Sequence, residues 1–287
     1  MVIMTTAYDL PKEYSDPKRA KVALLPVPYD GTSSYGKGAD KGPAAILKAS
    51  EYVELYDIET KTEVYTRGIY AEKPVTEKRS PERMAAAVEK RVADIISKGK
   101  FCVALGGEHS ITPGVVYAHA KKYKDLSVLQ LDAHTDMREE YHGSKNSHAC
   151  AMARVSEVAP IVQVGIRAMD KDEFKNPRIE KSRIFFAKDI YDNGVWMDTA
   201  IKKLSKNVYI TIDLDVFDPA YLPSTGTPEP GGLDWYCVTK FLKKVCTKRN
   251  VVGFDVVELL PRKDAPASDF LAAKLVYTLL SYRFAKQ

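Results

Sequence analysis

The chain has 287 residues, a length that can bury about three-quarters of its unfolded surface, so residues 1–287 are predicted to form a single domain. Hydrophobic residues make up 45% and charged residues 28%, with 16 glycines and 16 prolines, which excludes a disordered or fibrous chain. The net charge of +5 comes from scattered Lys and Arg residues, and no apolar run approaches the roughly 20 residues of a membrane-spanning helix, so neither nucleic acid nor a membrane is a predicted partner.

Short apolar segments alternate along the chain with longer segments of helical period, the pattern of strand–helix units in a parallel sheet. The predicted strands, in chain order, are Val22–Pro26, Phe101–Leu105, Ser127–Asp132, Ile161–Gly165, Ile184–Phe186, Val208–Asp213 and Val251–Val257. The predicted helices are Pro81–Lys98, one that begins at Thr112, Asp234–Cys246 and Ala267–Phe284. The fold class is therefore α/β.

Three long irregular stretches interrupt these elements, namely Asp30–Gly42, Met137–Ser147 and Asp218–Leu233. The last two directly follow predicted strands. Open α/β sheets place their sites in loops at the carboxyl ends of the strands, so a site is expected there.

Cysteine usage and the first residues bear on the cellular compartment. The four cysteines show no CxxC spacing and lie in apolar or helical contexts, which predicts buried thiols rather than disulfides. The first residues lack a basic segment followed by an apolar stretch of signal-peptide length. A cytoplasmic location is expected.

Three polar clusters follow three of the apolar strands and carry the chemistry. They are Gly106–Ser110 (GGEHS), Asp132–Asp136 (DAHTD) and Asp213–Asp218 (DLDVFD). Residues two apart at a strand end share a face, so Asp132, His134 and Asp136 are expected to converge, as are Asp213 and Asp215.

Carboxylates crowded into one site disfavour one another's ionisation unless cations neutralise them. Carboxylates mixed with imidazoles, without thiolates, favour a divalent ion such as Mn²⁺, and the number of ligands suggests two ions. A water held between two such ions becomes a hydroxide nucleophile. The clusters therefore predict a two-metal hydrolase with the ligands His109, Asp132, His134, Asp136, Asp213 and Asp215.

Each of these residues alone has a simpler interpretation. A buried histidine or an aspartate at a strand end is more often a satisfied polar group or a helix cap. Three such clusters at three strand ends favour one common site over three unrelated structural roles.

The three clusters resemble, in order and spacing, the metal motifs of the ureohydrolase family, which includes arginase and agmatinase. The resemblance runs from about Val22 to the C-terminus. The agmatinase branch fits best, on the segments Tyr29–Thr32, Asp136–Tyr141, Ser147–Cys150 and Gly165–Arg167. The resemblance implies an arginase-like, three-layer α/β/α fold with a mostly parallel central sheet, and a homo-oligomer, either a trimer or a hexamer.

The family's coordination, carried over to this sequence, implies two Mn²⁺ ions per chain. The first ion would have the ligands His109, Asp132, Asp136 and Asp213, and the second would have Asp132, His134, Asp213 and Asp215. Asp132 and Asp213 would bridge the ions. Asp136 would also hold the bridging hydroxide by a hydrogen bond and orient it toward the guanidinium carbon.

Two further catalytic residues follow from the resemblance. His148 matches the family's flexible-loop histidine, which could pass a proton to the leaving amine as the tetrahedral intermediate collapses to urea. Glu258 matches the glutamate that pairs with the guanidinium, a planar cation suited to a bidentate carboxylate. The competing interpretations are an exposed loop histidine and a structural ion pair. The segments Ser224–Glu229 and Gly231-Gly232 resemble the family's glycine-rich active-site loop.

Several nearby residues have other assignments. His119, in a predicted helix, and His142, in a charged loop, match no motif and are predicted to lie on the surface. Glu108 is interpreted as a support for the metal ligands, and Asp218-Pro219 either as a turn that closes the metal loop or as a similar support. Ala153 stands where agmatinase-like sequences often carry a basic residue, and the role of that missing charge stays open.

The resemblance implies Mn²⁺-dependent hydrolysis of agmatine to putrescine and urea. The alternative substrates are N1-aminopropylagmatine, guanidinobutyrate, arginine and formiminoglutamate, which differ at the end remote from the reacting carbon. Arg138, Glu139 and Glu140, two acids and one base, lean toward a substrate with a cationic tail. The alternative of another class is a catalytically inactive, metal-stabilised binding protein, whose signature would be metal uptake without turnover.

Overall fold

Eight strands are present in the computed structural model, which describes residues 7–192 and 194–285. They are β1 (Val22–Val27), β2 (Ile69–Ala71), β3 (Phe101–Gly106), β4 (Leu126–Leu131), β5 (Ile161–Ile166), β6 (Ile184–Phe186), β7 (Asn207–Asp213) and β8 (Asn250–Val257). They form one sheet in the order β2-β1-β3-β8-β7-β4-β5-β6, and every neighbouring pair is parallel. The sheet is thus wholly parallel where a mostly parallel one was predicted.

All seven predicted strands are present, with ends within one residue of the prediction. Strand β2, a three-residue edge strand that pairs only with β1, was not predicted. Its sequence Ile-Tyr-Ala lacks the Phe-Phe pair that marks the equally short β6, so its pairing depends on β1 rather than on a local signal.

The α-helices lie before, between and after the strands. They are α1 (Lys12–Ser15), α2 (Gly42–Ser50), α3 (Pro81–Ser97), α4 (Thr112–Lys122), α5 (Ala151–Val155), α6 (Ala187–Asp192), α7 (Trp196–Lys202), α8 (Trp235–Lys248) and α9 (Pro266–Phe284). The four predicted helices correspond to α3, α4, α8 and α9. Side-chain caps fix two of the starts, since Ser80 accepts a hydrogen bond from the backbone of Arg83 and Asp234 accepts one from the backbone of Cys237.

Helices cover both faces of the sheet because its strands are apolar on both sides. In β1, Val22 and Leu24 pack in a core with α2, α8 and α9, whereas Ala23 and Leu25 pack in a second core with α3 and α4. This alternation confirms the three-layer α/β/α arrangement. None of the helices in the described ranges combines the length and the apolar character needed to cross a membrane.

The prediction of a surface position for His119 is wrong, while His142 is exposed as predicted. The His119 ring is fully buried, Nδ1 lies 2.9 Å from the carbonyl oxygen of Val115, and the ring packs 4.9 Å from that of Tyr209. Gly253 of β8 makes the room, because a Cβ there would lie 2.5 Å from His119 Nε2. Burial lowers the pKa of His119 to about 4, so the buried ring is neutral.

Candidate metal centre and active site

The three polar clusters meet because the strands that carry them lie close together in the sheet. In the order β3-β8-β7-β4, the first, third and fourth of these strands lead into the clusters, and β8 leads into Glu258. Two clusters fold into single-turn 3₁₀ helices just after their strands, His109–Ile111 and Leu214–Val216. Four consecutive strand ends therefore supply the side chains of one site.

Gly107 allows the loops after β1, β3 and β8 to touch. A Cβ at Gly107 would lie 1.9 Å from the carbonyl oxygen of Tyr29, so only glycine permits this approach. Its N–H donates to the carbonyl of Val27 (2.9 Å), and its carbonyl accepts the N–H of Glu258 (2.8 Å). The second glycine of GGEHS is thus required for the close approach of these loops.

Two overlapping groups of side chains could each hold a metal ion. They are His109, Asp132 and Asp213, and Asp132, His134 and Asp215, with all the ligand atoms of a group within 4.8 Å of one another. His109 Nδ1 lies 3.2 Å from Asp132 Oδ2 and 3.6 Å from Asp213 Oδ2, and His134 Nδ1 lies 2.9 Å from Asp215 Oδ2. Asp132 belongs to both groups, the position expected of a bridging ligand.

Asp136 completes the set of six predicted ligands. Its Oδ2 lies 2.9 Å from His109 Nδ1. The φ angles of Asp136 (51°) and Glu258 (65°) are both in the left-handed region, which costs a non-glycine residue about 1–3 kcal/mol and is typical of functional sites. Helix α5 holds the Asp136 backbone in place, because the N–H groups of Met152 and Ala153 donate to its carbonyl. Ala153 is itself fully buried, and Arg154 pairs with Glu139.

The surroundings of His109 Nδ1 show whether these residues could bind a metal ion. This buried atom makes no hydrogen bond within the described residues, although three carboxylates surround it. An unsatisfied imidazole nitrogen among carboxylate oxygens is a donor set for a divalent cation. The residues therefore fit a metal centre.

A buried network lies behind His109 and fixes its ring. His109 Nε2 lies 2.9 Å from Thr211 Oγ1, and the Thr211 hydroxyl donates to Asp255 Oδ1 (2.6 Å). Tyr209 and Thr112 donate to the other Asp255 oxygen. Because Thr211 donates its proton to Asp255, Nε2 carries the proton of the neutral imidazole and Nδ1 is left as the ligand atom.

A second network holds Asp132. The Gln130 side-chain amide donates to Asp132 Oδ2 (2.7 Å), and the Gln163 amide donates to Gln130 Oε1 (2.6 Å). Neither Gln130 nor the Thr211–Asp255 pair was identified from the sequence.

The crowding of charge changes several pKa values in the metal-free protein. Burial, with a further contribution from Asp132, raises the pKa of Asp136 to about 6. Burial and then the Asp215 and Asp132 carboxylates raise the pKa of Asp213 well above its usual value. Burial lowers the pKa of His134, but the neighbouring Asp215 and Asp132 outweigh it and raise the value to about 12. Cations would remove this unfavourable crowding.

The metal-free protein is therefore expected to lose stability as pH rises from 5 to 9. Folded Asp136 and His134 keep protons up to about pH 6 and 12, whereas unfolded aspartate and histidine lose theirs near about 3.9 and 6.5. The folded state binds more protons in this window, so the free energy of unfolding falls with rising pH. Bound metal displaces those protons. The difference in melting temperature between Mn²⁺-loaded and EDTA-treated protein should widen from pH 5 to pH 9, and a constant or shrinking difference would contradict this assignment.

A cavity of about 320 Å³ opens beside the metal ligands. Its walls include His134, Asp136 and Asp213, and also His148 and Glu258, so the structure brings both predicted catalytic residues to the ligands. Glu258 Oε1 accepts the N–H of His109 (2.6 Å). Burial, and then the Glu108 carboxylate, raise the pKa of Glu258 well above its usual value.

Arg167 and Asp218 hold the glycine-rich loop over this cavity. The Arg167 guanidinium donates to the carbonyl oxygens of Asp215 (2.6 Å) and Glu229 (2.8 Å). Asp218 Oδ2 accepts the N–H groups of Gly231 (2.7 Å) and Gly232 (3.0 Å). Of the two interpretations of Asp218, the structure favours the turn that closes the loop.

Comparison with known proteins agrees with this geometry. A model of the arginase family matches residues 20–281. The N(1)-aminopropylagmatine ureohydrolases of Synechocystis sp. and Thermus thermophilus are 39% and 40% identical over 272 and 262 residues, covering 92% and 91% of this chain and 89% of each relative. The crystal structure of agmatine ureohydrolase of Thermoplasma volcanium superposes with a TM-score of 0.87 at 33% identity, covering 99% of this chain and 94% of that one. The resemblance predicted from the motifs is confirmed, and the chain belongs to the arginase family.

Proposed function

We propose that this protein is a Mn²⁺-dependent ureohydrolase that releases urea from a guanidine with a cationic tail. N1-aminopropylagmatine is the preferred substrate and agmatine the second candidate. The observation that carries the proposal is the single cavity that joins the metal-ligand cluster, Glu258 and the carboxylate of Glu229.

The six clustered side chains would hold two Mn²⁺ ions in the arrangement that the family resemblance implies. Metals are a property of the family, and oxygen and imidazole donors without thiolates suit Mn²⁺. The ions would supply a hydroxide nucleophile near neutral pH and stabilise the charge that develops during attack.

Glu258 is suited to bind the guanidinium. One of its oxygens accepts the N–H of His109, and the other makes no hydrogen bond with any residue in the described ranges. A carboxylate held in this way can accept N–H groups of a planar cation. His148, across the cavity, would give a proton to the leaving nitrogen as the C–N bond breaks, so that water and the guanidinium become urea and an ammonium.

The charges near the cavity favour a substrate with a cationic tail. The residue responsible is Glu229, which was not among the three charged residues considered in the sequence. Arg138 lines the cavity but lies 2.9 Å from Asp170 Oδ2, and Glu139 pairs with Arg154 and Arg178. Glu229 lines the same cavity; its Oε1 lies 4.0 Å from His134 Nε2, and among the residues the structure describes no lysine or arginine pairs with its carboxylate.

The two candidate substrates, N1-aminopropylagmatine and agmatine, differ in the length of their cationic tails. Agmatine was the predicted substrate, with N1-aminopropylagmatine as an alternative. The ureohydrolases named for N(1)-aminopropylagmatine at about 40% identity support the longer substrate, and the Thermoplasma structure supports agmatine. The homo-oligomer and the cytoplasmic location stay predictions from the sequence.

A substrate panel with a matched variant tests the proposal. Purified Mn²⁺-loaded protein should release urea from N1-aminopropylagmatine faster than from agmatine, and from both faster than from guanidinobutyrate, whose tail is an anion. Glu229→Gln should lower kcat/KM for the two cationic substrates about threefold to fivefold, as expected for a partly exposed ion pair. It should not lower the value for guanidinobutyrate.

Other outcomes of the panel are equally informative. No urea from any compound at neutral or alkaline pH would refute the proposal, and metal uptake with a raised melting temperature but no turnover would identify the inactive binding protein. An equal effect of Glu229→Gln on all three compounds would show that Glu229 does not recognise the charge of the substrate tail.

A further inference from the structure

The Thr32 hydroxyl links His148, which lines the cavity, to the buried carboxylate of Glu108. The Thr32 hydroxyl donates to Glu108 Oε1 (2.5 Å), the backbone N–H of His148 donates to Thr32 Oγ1 (2.9 Å), and His148 Nδ1 lies 3.2 Å from the same oxygen. These three residues come from the loop after β1, the loop after β3 and the 3₁₀ helix His148–Cys150. The contact therefore depends on the tertiary fold.

The donors and acceptors around Thr32 Oγ1 determine where each proton lies. Glu108 is fully buried and its oxygens accept from the Thr32 N–H and from the hydroxyls of Thr32, Ser33 and Ser110, so it acts as a carboxylate. A hydroxyl has one proton and two lone pairs. The Thr32 proton goes to Glu108, which leaves both lone pairs to accept the backbone N–H and the Nδ1–H of His148.

We propose that Thr32 is a positioning residue that holds neutral His148 in the tautomer with the proton on Nδ1. Nε2 is then the free acceptor. It makes no hydrogen bond within residues 7–192 and 194–285, and the ring lines the cavity with Asp213 and Glu258. This inference rests on the proposed function, in which His148 carries a proton.

The tautomer matters because one nitrogen must both take and give the proton. Nε2 takes the proton that the attacking water loses and delivers it to the leaving nitrogen as the C–N bond breaks, while the Nδ1–H stays on the ring throughout. With a guanidinium substrate, the products are urea and an ammonium, so charge and protons balance. The opposite tautomer has its lone pair on Nδ1, which lies against Thr32 and Ser147.

The backbone around Thr32 makes the arrangement rigid. The N–H of Glu108 donates to the carbonyl of Tyr29 (2.9 Å), and a Cβ at Gly31 would lie 2.3 Å from the Tyr29 hydroxyl. The Tyr29–Thr32 segment, which was identified in the sequence only by its resemblance to agmatinases, thus fixes the position of Thr32.

Ser147 offers the rival arrangement. Its Oγ lies 3.3 Å from His148 Nδ1, and a hydroxyl that donates there would select the opposite tautomer. A third interpretation is that Thr32 only closes the loop, with no effect on the ring.

Three variants of the full-length enzyme separate these interpretations. Thr32→Val keeps the shape and removes the hydroxyl, Thr32→Ser keeps the hydroxyl, and Ser147→Ala removes the rival donor. With the panel substrate that is turned over fastest, Thr32→Val should lower kcat about 10-fold to 100-fold, the usual effect of losing such a support, with KM changed less than about twofold. Thr32→Ser should retain most of the activity, and Ser147→Ala should stay within about twofold of the wild type.

A spectroscopic measurement reads the tautomer without turnover. The protein is labelled with ¹⁵N-histidine and loaded with diamagnetic Zn²⁺, and the His148 signals are identified among five histidines by their loss in His148→Asn. Wild type and Ser147→Ala should show a protonated Nδ1 and a bare Nε2, and Thr32→Val should lose this preference. A protonated Nε2 in neutral wild type, or an unchanged tautomer and kcat in Thr32→Val, would overturn the inference.

The kinetic measurement and the spectroscopic measurement can each contradict their own hypothesis without the other. If the wild type hydrolyses no guanidine, the proposed function fails while the tautomer measurement still tests the role of Thr32. If Thr32→Val does not fold, as judged by its melting transition, the comparison of wild type with Ser147→Ala still decides which hydroxyl sets the tautomer.

Discussion

Replacing Asp132 by asparagine is expected to abolish urea formation from every guanidine. Asp132 is fully buried and belongs to both groups of candidate ligands, so the substitution would remove a negative charge between the two proposed Mn²⁺ ions. We expect kcat to fall at least about 1,000-fold, which corresponds to about 4 kcal/mol of lost transition-state stabilisation. Bound Mn²⁺, measured by elemental analysis after gel filtration, should fall below two ions per chain.

Asparagine preserves much of the local structure, which makes this test clean. Its side-chain oxygen can still accept the N–H of His134, which lies 2.6 Å from Asp132 Oδ1. Asp57→Asn is a matched control, because Asp57 is also buried but accepts from Thr60 away from the cavity. The control should keep full metal content and activity. If Asp132→Asn retained more than about one-tenth of both the wild-type Mn²⁺ content and the wild-type kcat, Asp132 would not be a bridging ligand.

The strands that carry the site were predictable because parallel strands covered on both faces are continuous apolar runs. A polar cluster at the end of such a run is conspicuous, and DAHTD after β4 is the clearest example. The clusters could be placed at one edge of the sheet without knowledge of the strand order, since all parallel strands end at the same edge.

The side chains that support the ligands were harder to predict, although a signal exists. Gln130, Thr211 and Asp255 each stand as a polar residue in the interior of a mostly apolar strand. A polar group buried there needs a partner, so each could have been marked as a participant in a buried network. Its partner depends on the strand order β8-β7-β4, which the sequence does not contain.

His119 and Thr32 show the same limit at longer range. His119 matched no motif and was therefore predicted to lie on the surface, but its ring packs on Gly253, more than a hundred residues away in the sequence. Thr32 meets His148 across 116 residues of sequence. Contacts of this kind follow from tertiary packing, which local pattern and motif spacing do not specify.

Replacing Glu258 by glutamine is expected to impair the hydrolysis of all guanidines, whatever their tails. Glutamine can keep the hydrogen bond from the N–H of His109 but loses the charge that would face the guanidinium in the proposed function. Hydrogen bonds to charged groups contribute about 1.5–3 kcal/mol, so kcat/KM should fall about 10-fold to 100-fold, with much of the effect in KM. Steady-state urea release from N1-aminopropylagmatine, agmatine and methylguanidine measures it.

Glu229→Gln is the matched control, because both glutamates line one cavity and the same substitution removes a charge at the proposed tail site instead of the proposed guanidinium site. Methylguanidine has no tail, so its hydrolysis should respond to Glu258→Gln and be unaffected by Glu229→Gln. Glu258 lies outside both groups of candidate ligands, and its substitution should leave the Mn²⁺ content unchanged. A loss of metal in Glu258→Gln, or an effect confined to substrates with cationic tails, would show that Glu258 has a different role from guanidinium binding.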